Sequence, residues 1–352
     1  MRVELNGLFR LYPLTGTGQH LEHLVAALRA GYPDVEIVER VPGGRARGRF
    51  GKVWWEQMAW PMSARRTRAV LHAPHLAPPV VAPRAIVTAH DVIPFVLPEY
   101  GASRPRRLYN LLTRAGLRRT RHVIAVSHWT RRELTTVLDV PADRIHVIHN
   151  GIAASLSPTP DGRDEAVRGR FGLPARFALY LGALDARKNL GVLLRAWPGI
   201  WSATRVALVV AGRAPRPASP VYVDWFREHR DVPWLHVIGE VPEEDKAALY
   251  RAAAVFVFPS RYEGFGLDPV EAMACGVPVV ASNATSIPEV VGDAAVSVSP
   301  DDADGWTTAV ANVLSDPNRA ASLRDAGIAR ARAFTWERAA EATMAVYAKA
   351  AG

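Results

Sequence analysis

The stretch from Phe256 to Ala281, FVFPSRYEGFGLDPVEAMACGVPVVA, constrains the fold of this chain more than any other. A short apolar run ends on a proline, and a glycine-rich turn follows at Glu263-Gly264-Phe265-Gly266. A helix-period segment then runs from Asp268 to Cys275, and a second β-branched run closes the stretch at Val277–Val280. The pattern predicts one βαβ unit with its glycines in the strand-to-helix turn. In parallel sheets such turns lie at the carboxyl ends of the strands, where ligands bind. Glycines let the backbone approach a ligand, and the N-terminus of the following helix favours an anion. Glu263 and Glu271 bracket the turn, so one carboxylate can stand at the mouth of a phosphate-type site and the other further along its wall.

The nonapeptide EGFGLDPVE resembles the E-G-F-G-L-P-x-x-E signature of retaining glycosyltransferases of GT-B architecture, glycosyltransferase family 4 in particular. Asp268 stands at the usual proline, and Pro269 falls one place later. The resemblance implies an α/β chain of two Rossmann-like, doubly wound parallel-sheet domains facing a cleft, with a C-terminal helix crossing back to the first. The expected boundaries are 1–160, 161–334 and 335–352. A Pro-containing linker of small and polar residues at 151–163 and a fresh strand at 177–181 fit that division.

Size and composition agree. A chain of 352 residues, 49% of them hydrophobic, can bury a sizeable core in two domains. No apolar run approaches the roughly 18–20 residues of a membrane helix. The start, MRVELNGLFRLYPL, lacks the apolar core of a signal peptide and reads as a first strand, so a cytoplasmic protein is expected. The single cysteine, Cys275, excludes an internal disulfide, and no Cys/His spacing suggests zinc. Residues 1–160 hold 22 Lys and Arg against 11 Asp and Glu, whereas 161–352 hold 21 against 23. A basic first half can meet an anionic membrane surface, an anionic acceptor or nucleic acid, or serve solubility alone.

In the first half, the turn Thr15-Gly16-Thr17-Gly18 precedes a helix expected over Gln19–Ala30, with Leu21, Leu24, Val25 and Leu28 on its core face. The turn is similar to the family's cleft-facing glycine turn, which makes Gly16 and Gly18 donor-binding candidates. Trp54, Trp55 and Trp60 read as packing residues or a sugar platform. The strand-like run at 85–91 ends on His90 and Asp91, and HDVIP resembles the family's H-D-x-x-P motif. That resemblance puts His90 against the donor sugar as a catalytic residue and Asp91 near the acceptor. Residues 104–121 predict a basic amphipathic helix whose apolar face is Leu108, Leu111, Leu112 and Ala115. Its charges suit a solvated outer face or an anionic lipid surface. Ser127 can cap the next helix, and a cleft-facing Ser of the family makes it an acceptor-side candidate.

In the second half, Gly182–Asn189, GALDARKN, matches the family's G-x-L-x-x-R-K-N turn. A lysine at a helix start is unfavourable unless an anion is present, so Lys188 is expected on the donor's diphosphate. The family's second cation follows the glycine. Here that position is Ala183, leaving Arg187, Arg213 and Arg261 as candidates. Gly182 and the backbone near Val241 are further donor contacts by resemblance, as are Gly264, Phe265, Gly266, Leu267 and Glu271. Glu263 is expected to position the sugar's hydroxyls.

Together these imply transfer of a hexose, with mannose from GDP-mannose preferred over a UDP-sugar, to an acceptor hydroxyl with retained configuration. No cofactor or metal is expected, nor a nucleic-acid partner. The acceptor is an unidentified hydroxyl, lipid-linked in one version, with peripheral contact to an anionic membrane through the basic half. A sugar-nucleotide epimerase or phosphorylase of the same fold is the rival enzyme class. A basic nucleic-acid-binding protein is the rival binding class, but the chain lacks the interleaved aromatic and basic motif of such modules.

Overall fold

The computed structural model describes residues 1–13, 15–43, 48–63, 69–82, 84–101, 103–212 and 232–352. They form two compact units, one of residues 1–151 with 335–352 and the other of residues 152–334.

The first unit is built on a six-stranded sheet in the order β2-β1-β3-β4-β5-β6. Its strands are β1 Arg2–Asn6, β2 Glu36–Arg40, β3 Val70–Ala73, β4 Ile86–Ala89, β5 Val123–Ala125 and β6 Ile145–Val147. Every pairing is parallel. The short runs VLHA, IVTA and VIA are buried almost throughout, as expected where helices cover both faces of a parallel sheet. β3 is a strand that the sequence reading did not place. The helix Gly16–Gly31 buries Leu21, Leu24, Val25 and Leu28 against Val3, Leu5 and the C-terminal helix Trp336–Ala351. It begins three residues earlier than expected because Thr15 caps it, its hydroxyl accepting from the Gly18 N–H at 3.1 Å.

The helix Arg104–Arg119 departs from its expected orientation. Leu108, Leu111 and Ala115 face solvent, and the buried side carries Thr113, Gly116 and Leu117 instead. Gly116 explains the choice: a Cβ there would lie 2.5 Å from the Pro78 carbonyl oxygen, so only the glycine face can approach this closely.

The second unit carries the sheet β12-β11-β10-β7-β8-β9, again entirely parallel. Its strands are β7 Phe177–Leu181, β8 Ala207–Ala211, β9 Leu235–Gly239, β10 Val255–Phe258, β11 Val279–Ser282 and β12 Val296–Val298. The chain starts in the middle at β7, builds outward through β8 and β9, and returns to β10 on the other side of β7. The order reverses between β7 and β10, and crevices for ligands open at the carboxyl ends of such a pair. The helices Leu190–Thr204 and Ala303–Ser315 cover one face and bury Trp197 and Trp306 completely. Among the described residues, no helix is long and apolar enough to cross a membrane.

Candidate active site

Two turns meet at the reversal point of the second sheet. The turn after β7 carries Asp185, Arg187 and Lys188. The turn after β10 carries Ser260 to Gly266. The first is a short 3-10 turn, Ala186–Lys188, capped by Asp185, whose carboxylate accepts from the Lys188 N–H at 3.0 Å. Asn189 follows in the left-handed region at φ 54°, and its amide donates to the Pro259 carbonyl at 3.1 Å and the Pro300 carbonyl at 2.7 Å. The Arg261 N–H donates to the Arg187 carbonyl at 2.8 Å. The two turns are thus tied through backbone groups, which fixes the side chains they present.

The side chains form a compact ion cluster. Lys188 Nζ lies 2.9 Å from Glu263 Oε1 and 3.0 Å from Asp268 Oδ2, and 4.7 Å from the centre of the Phe258 ring. Arg187 Nη1 lies 2.8 Å from the same Glu263 oxygen and donates to the Tyr262 carbonyl at 2.6 Å. Ser260 Oγ adds a third donor to Glu263 Oε1 at 2.7 Å. Three donors therefore converge on one carboxylate oxygen. Burial opposes the Lys188 charge, but Asp268 and Glu263 outweigh it and raise its pKa. Burial likewise opposes the Glu263 charge, and Lys188, Arg187 and Ser260 reverse that and lower its pKa.

Gly266, at φ +95°, opens the helix Leu267–Ala274, whose first-turn N–H groups have no partner inside the helix. Thr285 Oγ1 accepts from the Glu263 N–H at 3.0 Å, and Ser286 Oγ donates to the Glu263 and Phe265 carbonyls, each at 2.9 Å. These bonds hold the glycine turn open. Phe265 is buried against Phe334, ring centres 5.7 Å apart.

Further along the helix, Glu271 is buried. Its Oε2 accepts from Tyr250 Oη at 3.1 Å and faces Lys246 Nζ at 3.9 Å. Burial raises the Glu271 pKa despite Lys246, and Asp268 and Glu243 add to the rise. Lys246 and Tyr250 escaped the sequence reading. The available signal was rarity, since Lys246 is one of four lysines in the chain.

The candidates for a second cation separate clearly. Arg187 joins the cluster. Arg261 turns outward to an exposed pair with Asp301. Arg213 lies outside the described residues. Ala183 is exposed, and the Tyr180 hydroxyl donates to its carbonyl at 3.0 Å. Gly182 sits under the lysine stem, where an added Cβ would be 3.6 Å from Lys188 Cδ. Gly212 is tighter: at φ +136° its Cβ would fall 1.9 Å from the Gly182 carbonyl oxygen. Val241 follows β9, two residues beyond Gly239.

In the first unit the strand order reverses between β1 and β3. A pocket of about 190 Å³ opens there, lined among others by Phe9, Thr17, Lys52, His75, His90 and Asp91. His90 Nε2 donates to the Pro74 carbonyl at 3.1 Å. Burial lowers its pKa to about 4, so the ring is neutral near pH 7 and its second nitrogen, Nδ1, is an acceptor. The one N–H of neutral His90 is engaged by the Pro74 carbonyl, so this ring would meet a ligand hydroxyl as an acceptor. Asp91 Oδ1 accepts from the Ile93 N–H at 3.0 Å and shapes the loop. Ser127 is wholly buried and caps the helix His128–Leu138, accepting from the Thr130 N–H at 3.0 Å. That leaves it no surface for an acceptor. Gly18 is required by packing, because a Cβ there would lie 2.3 Å from the Tyr12 carbonyl oxygen, while one added at Gly16 would meet nothing within 4 Å.

Comparison with known proteins follows the same division. The family described as "Glycosyltransferase Family 4" matches residues 14–156, and "Glycosyl transferases group 1" matches residues 175–316. The chain is 34% identical over 281 residues to the O-antigen chain mannosyltransferase B of Escherichia coli, covering 79% of this chain and 74% of that protein. It is 30% identical to the glycogen synthase of Mycobacterium tuberculosis, over 94% of this chain and 90% of that one. Among solved structures, sucrose-phosphate synthase from Thermosynechococcus elongatus aligns with a TM-score of 0.76 at 21% identity, covering 99% and 98% of the two chains. The reversal-point cluster, the EGFGLDPVE turn and these matches agree, and the chain belongs to the mannosyltransferase-like family 4 glycosyltransferases of GT-B fold.

Proposed function

We propose that this glycosyltransferase moves mannose from GDP-mannose to an acceptor hydroxyl on a glycan or lipid-linked glycan, retaining the anomeric configuration and using no metal. The observation that carries the reading is Lys188, held at the carboxyl end of β7 beside the N-terminus of the helix Leu267–Ala274. A departing nucleoside diphosphate develops negative charge, and a fixed ammonium with helix N–H donors stabilises charge where it appears. Arg187 shares Glu263 with that lysine and is the second cation of the site. Glu263 uses Oε1 to hold both cations, so Oε2 is the atom that would accept from a sugar hydroxyl. Glu271 would accept from the ribose hydroxyls, with Tyr250 fixing its orientation. His90, by the same family resemblance, would accept a sugar hydroxyl proton through Nδ1. Asp91 and the pocket beside it would face the acceptor.

The choice of mannose is supported by the similarity to the Escherichia coli mannosyltransferase, which its name describes as acting on an O-antigen chain. A panel of GDP-, UDP- and ADP-sugars read by thermal shift tests the donor, since only a binder raises the melting temperature. GDP-mannose alone should shift it. A shift by a UDP-sugar alone would replace the donor, and no shift with any would overturn the site. Anomeric analysis of the product tests retention, and transfer in the presence of a chelator tests metal independence.

A further inference from the structure

The helix Leu267–Ala274 carries two carboxylates three residues apart, Asp268 and Glu271, and each is faced by a lysine from elsewhere in the second unit. Lys188 takes Asp268, and Lys246 takes Glu271. Lys246 opens the helix Lys246–Ala252, and Tyr250 stands four residues on, so both side chains leave one helix face and reach the same carboxylate. Lys246 Nζ lies 3.9 Å from Glu271 Oε2 and 2.9 Å from Glu243 Oε2, and only 15% of the side chain is exposed. A cation in the first turn of a helix opposes the helix dipole. Burial opposes its charge as well, yet Glu271 and Glu243 outweigh that and push the Lys246 pKa up.

The surroundings of Glu271 explain why a lysine is held there. Glu271 is buried, which by itself favours the neutral acid. Asp268 on its own helix and Glu243 in the turn Glu243–Asp245 both repel its charge. Tyr250, whose proton is held firmly by burial, donates one hydrogen bond to Oε2. Cys275, just past the end of the helix, is a buried thiol whose pKa burial and Glu271 push up to about 12. The neighbouring strands β10 and β11 carry apolar residues and Ser282. The helix Pro317–Ala331 meets this one at Gly327 against Met273, with Arg324 beside Gly276. Among the described residues, Lys246 is the one cation within 4 Å of Glu271. Without it, Glu271 would face two like charges and a phenol, and would take up a proton. A protonated carboxyl keeps fewer acceptor sites and points an O–H where a ligand hydroxyl must donate.

We infer that Lys246 is a positioning residue of the donor site: it holds Glu271 as a carboxylate whose oxygens can accept from both ribose hydroxyls of a nucleoside diphosphate. This rests on the proposed assignment of Glu271 to the ribose and adds that Lys246 acts on the nucleotide only through Glu271.

The test compares wild type with Lys246→Met, Lys246→Arg, Glu271→Gln and the double variant with Lys246→Met and Glu271→Gln. Calorimetry gives the Kd for GDP at pH 6.5 and pH 9, each read as a ratio to wild type at the same pH, which cancels the titration of the phosphate. Infrared difference spectra between the two pH values, taken without nucleotide, report the protonated carboxyl, identified by its loss in Glu271→Gln. Lys246→Met should bind GDP at least about tenfold more weakly at pH 6.5, the scale of a shift of one pKa unit, and return to within about threefold at pH 9. Its carboxyl band should grow at pH 6.5. Lys246→Arg keeps the charge and should stay within about threefold of wild type at both pH values. In the Glu271→Gln background, Lys246→Met should add less than about twofold, because residues that act through one another are not additive. If the methionine variant does not fold, Lys246→Gln replaces it, since its amide keeps the contact with Glu243 without the charge.

A loss of equal size at both pH values would mean that Lys246 touches the nucleotide itself or only supports the fold, and would overturn the inference. So would an arginine variant as weak as the methionine one, or full additivity with Glu271→Gln. A Glu271→Gln variant that binds GDP as tightly as wild type would instead remove the ribose assignment, and the inference with it. Should the donor panel select UDP, the same comparison runs with UDP, whose ribose is identical. A wild type that binds neither would remove the proposed donor, and an unchanged carboxyl band in Lys246→Met would then show that the lysine does not hold the carboxylate.

Discussion

Lys188 and Asp268 are joined side chain to side chain at 3.0 Å, and Asp268 stands in the first turn of the helix whose N-terminus is the proposed diphosphate site. A carboxylate here competes with a diphosphate for the same ammonium. The Asp268→Asn substitution keeps the shape and removes the charge. It should tighten GDP binding by roughly tenfold in calorimetry, about 1.4 kcal/mol, with a lower donor KM. Guanosine, which has no phosphate, should bind both forms alike. Weaker GDP binding by the variant would show that Asp268 serves instead to orient Lys188.

Lys188→Ala should abolish transfer with little change in melting temperature. It removes the charge that meets the leaving group, but it also leaves Glu263 with Arg187 and Ser260 still donating. Lys188→Arg should rescue only a small part, because the planar guanidinium cannot take the place of a compact ammonium between two carboxylates. Full activity in the alanine variant would remove the site assignment.

Glu271→Gln separates binding from folding. The glutamine can still accept from Tyr250 but no longer carries a charge opposite Lys246. Donor KM should rise at least about tenfold, the scale of losing one charged hydrogen-bond partner, with the thermal midpoint unchanged or raised. A midpoint that falls by many degrees would mean that the carboxylate is structural.

Gly212→Ala should damage both stability and donor binding. The added Cβ would collide with the Gly182 carbonyl and needs a positive φ that side chains disfavour. A loss of about 2–4 kcal/mol in denaturant unfolding is expected. Donor affinity should fall with it, since Gly182 lies under the Lys188 stem.

Acid should weaken the first unit early. His72 is fully buried, bonded to Tyr347 Oη at 2.7 Å and Thr88 Oγ1 at 2.8 Å, and burial lowers its pKa from 6.5 to about 3. Burial also lowers His20 and His75. Below pH 6.5 the unfolded chain takes up protons that the folded one refuses. For His72 the stability is therefore complete above 6.5 and falls as pH drops toward 3, by about 1.4 kcal/mol per pH unit, and His20 and His75 act in the same direction. Thermal melts between pH 8 and pH 4 should show this slope, and His72→Gln should make it shallower.

Local chemistry made much of this legible. β-branched runs alternating with helix-period segments announced two parallel sheets, because strands buried on both faces must be apolar along their length. Glycines and carboxylates at fixed offsets announced the turn after β10, because backbone conformation there is set within a few residues. Ser127 was readable as a cap for the same reason, whereas the cap at Thr15 was not read and the helix start fell three residues late.

The sequence by itself determined the order of elements and which turns would stand at strand ends. Only the tertiary structure decided which side chains meet there. Arg187 rather than Arg261 joins Glu263, Lys246 faces Glu271, and Asp268 reaches Lys188 across eighty residues of chain. It also decided that the helix Arg104–Arg119 buries its glycine face and shows its leucines to water. In a parallel sheet, neighbours come from distant stretches of sequence, and periodicity along one segment carries no information about the partner it will find.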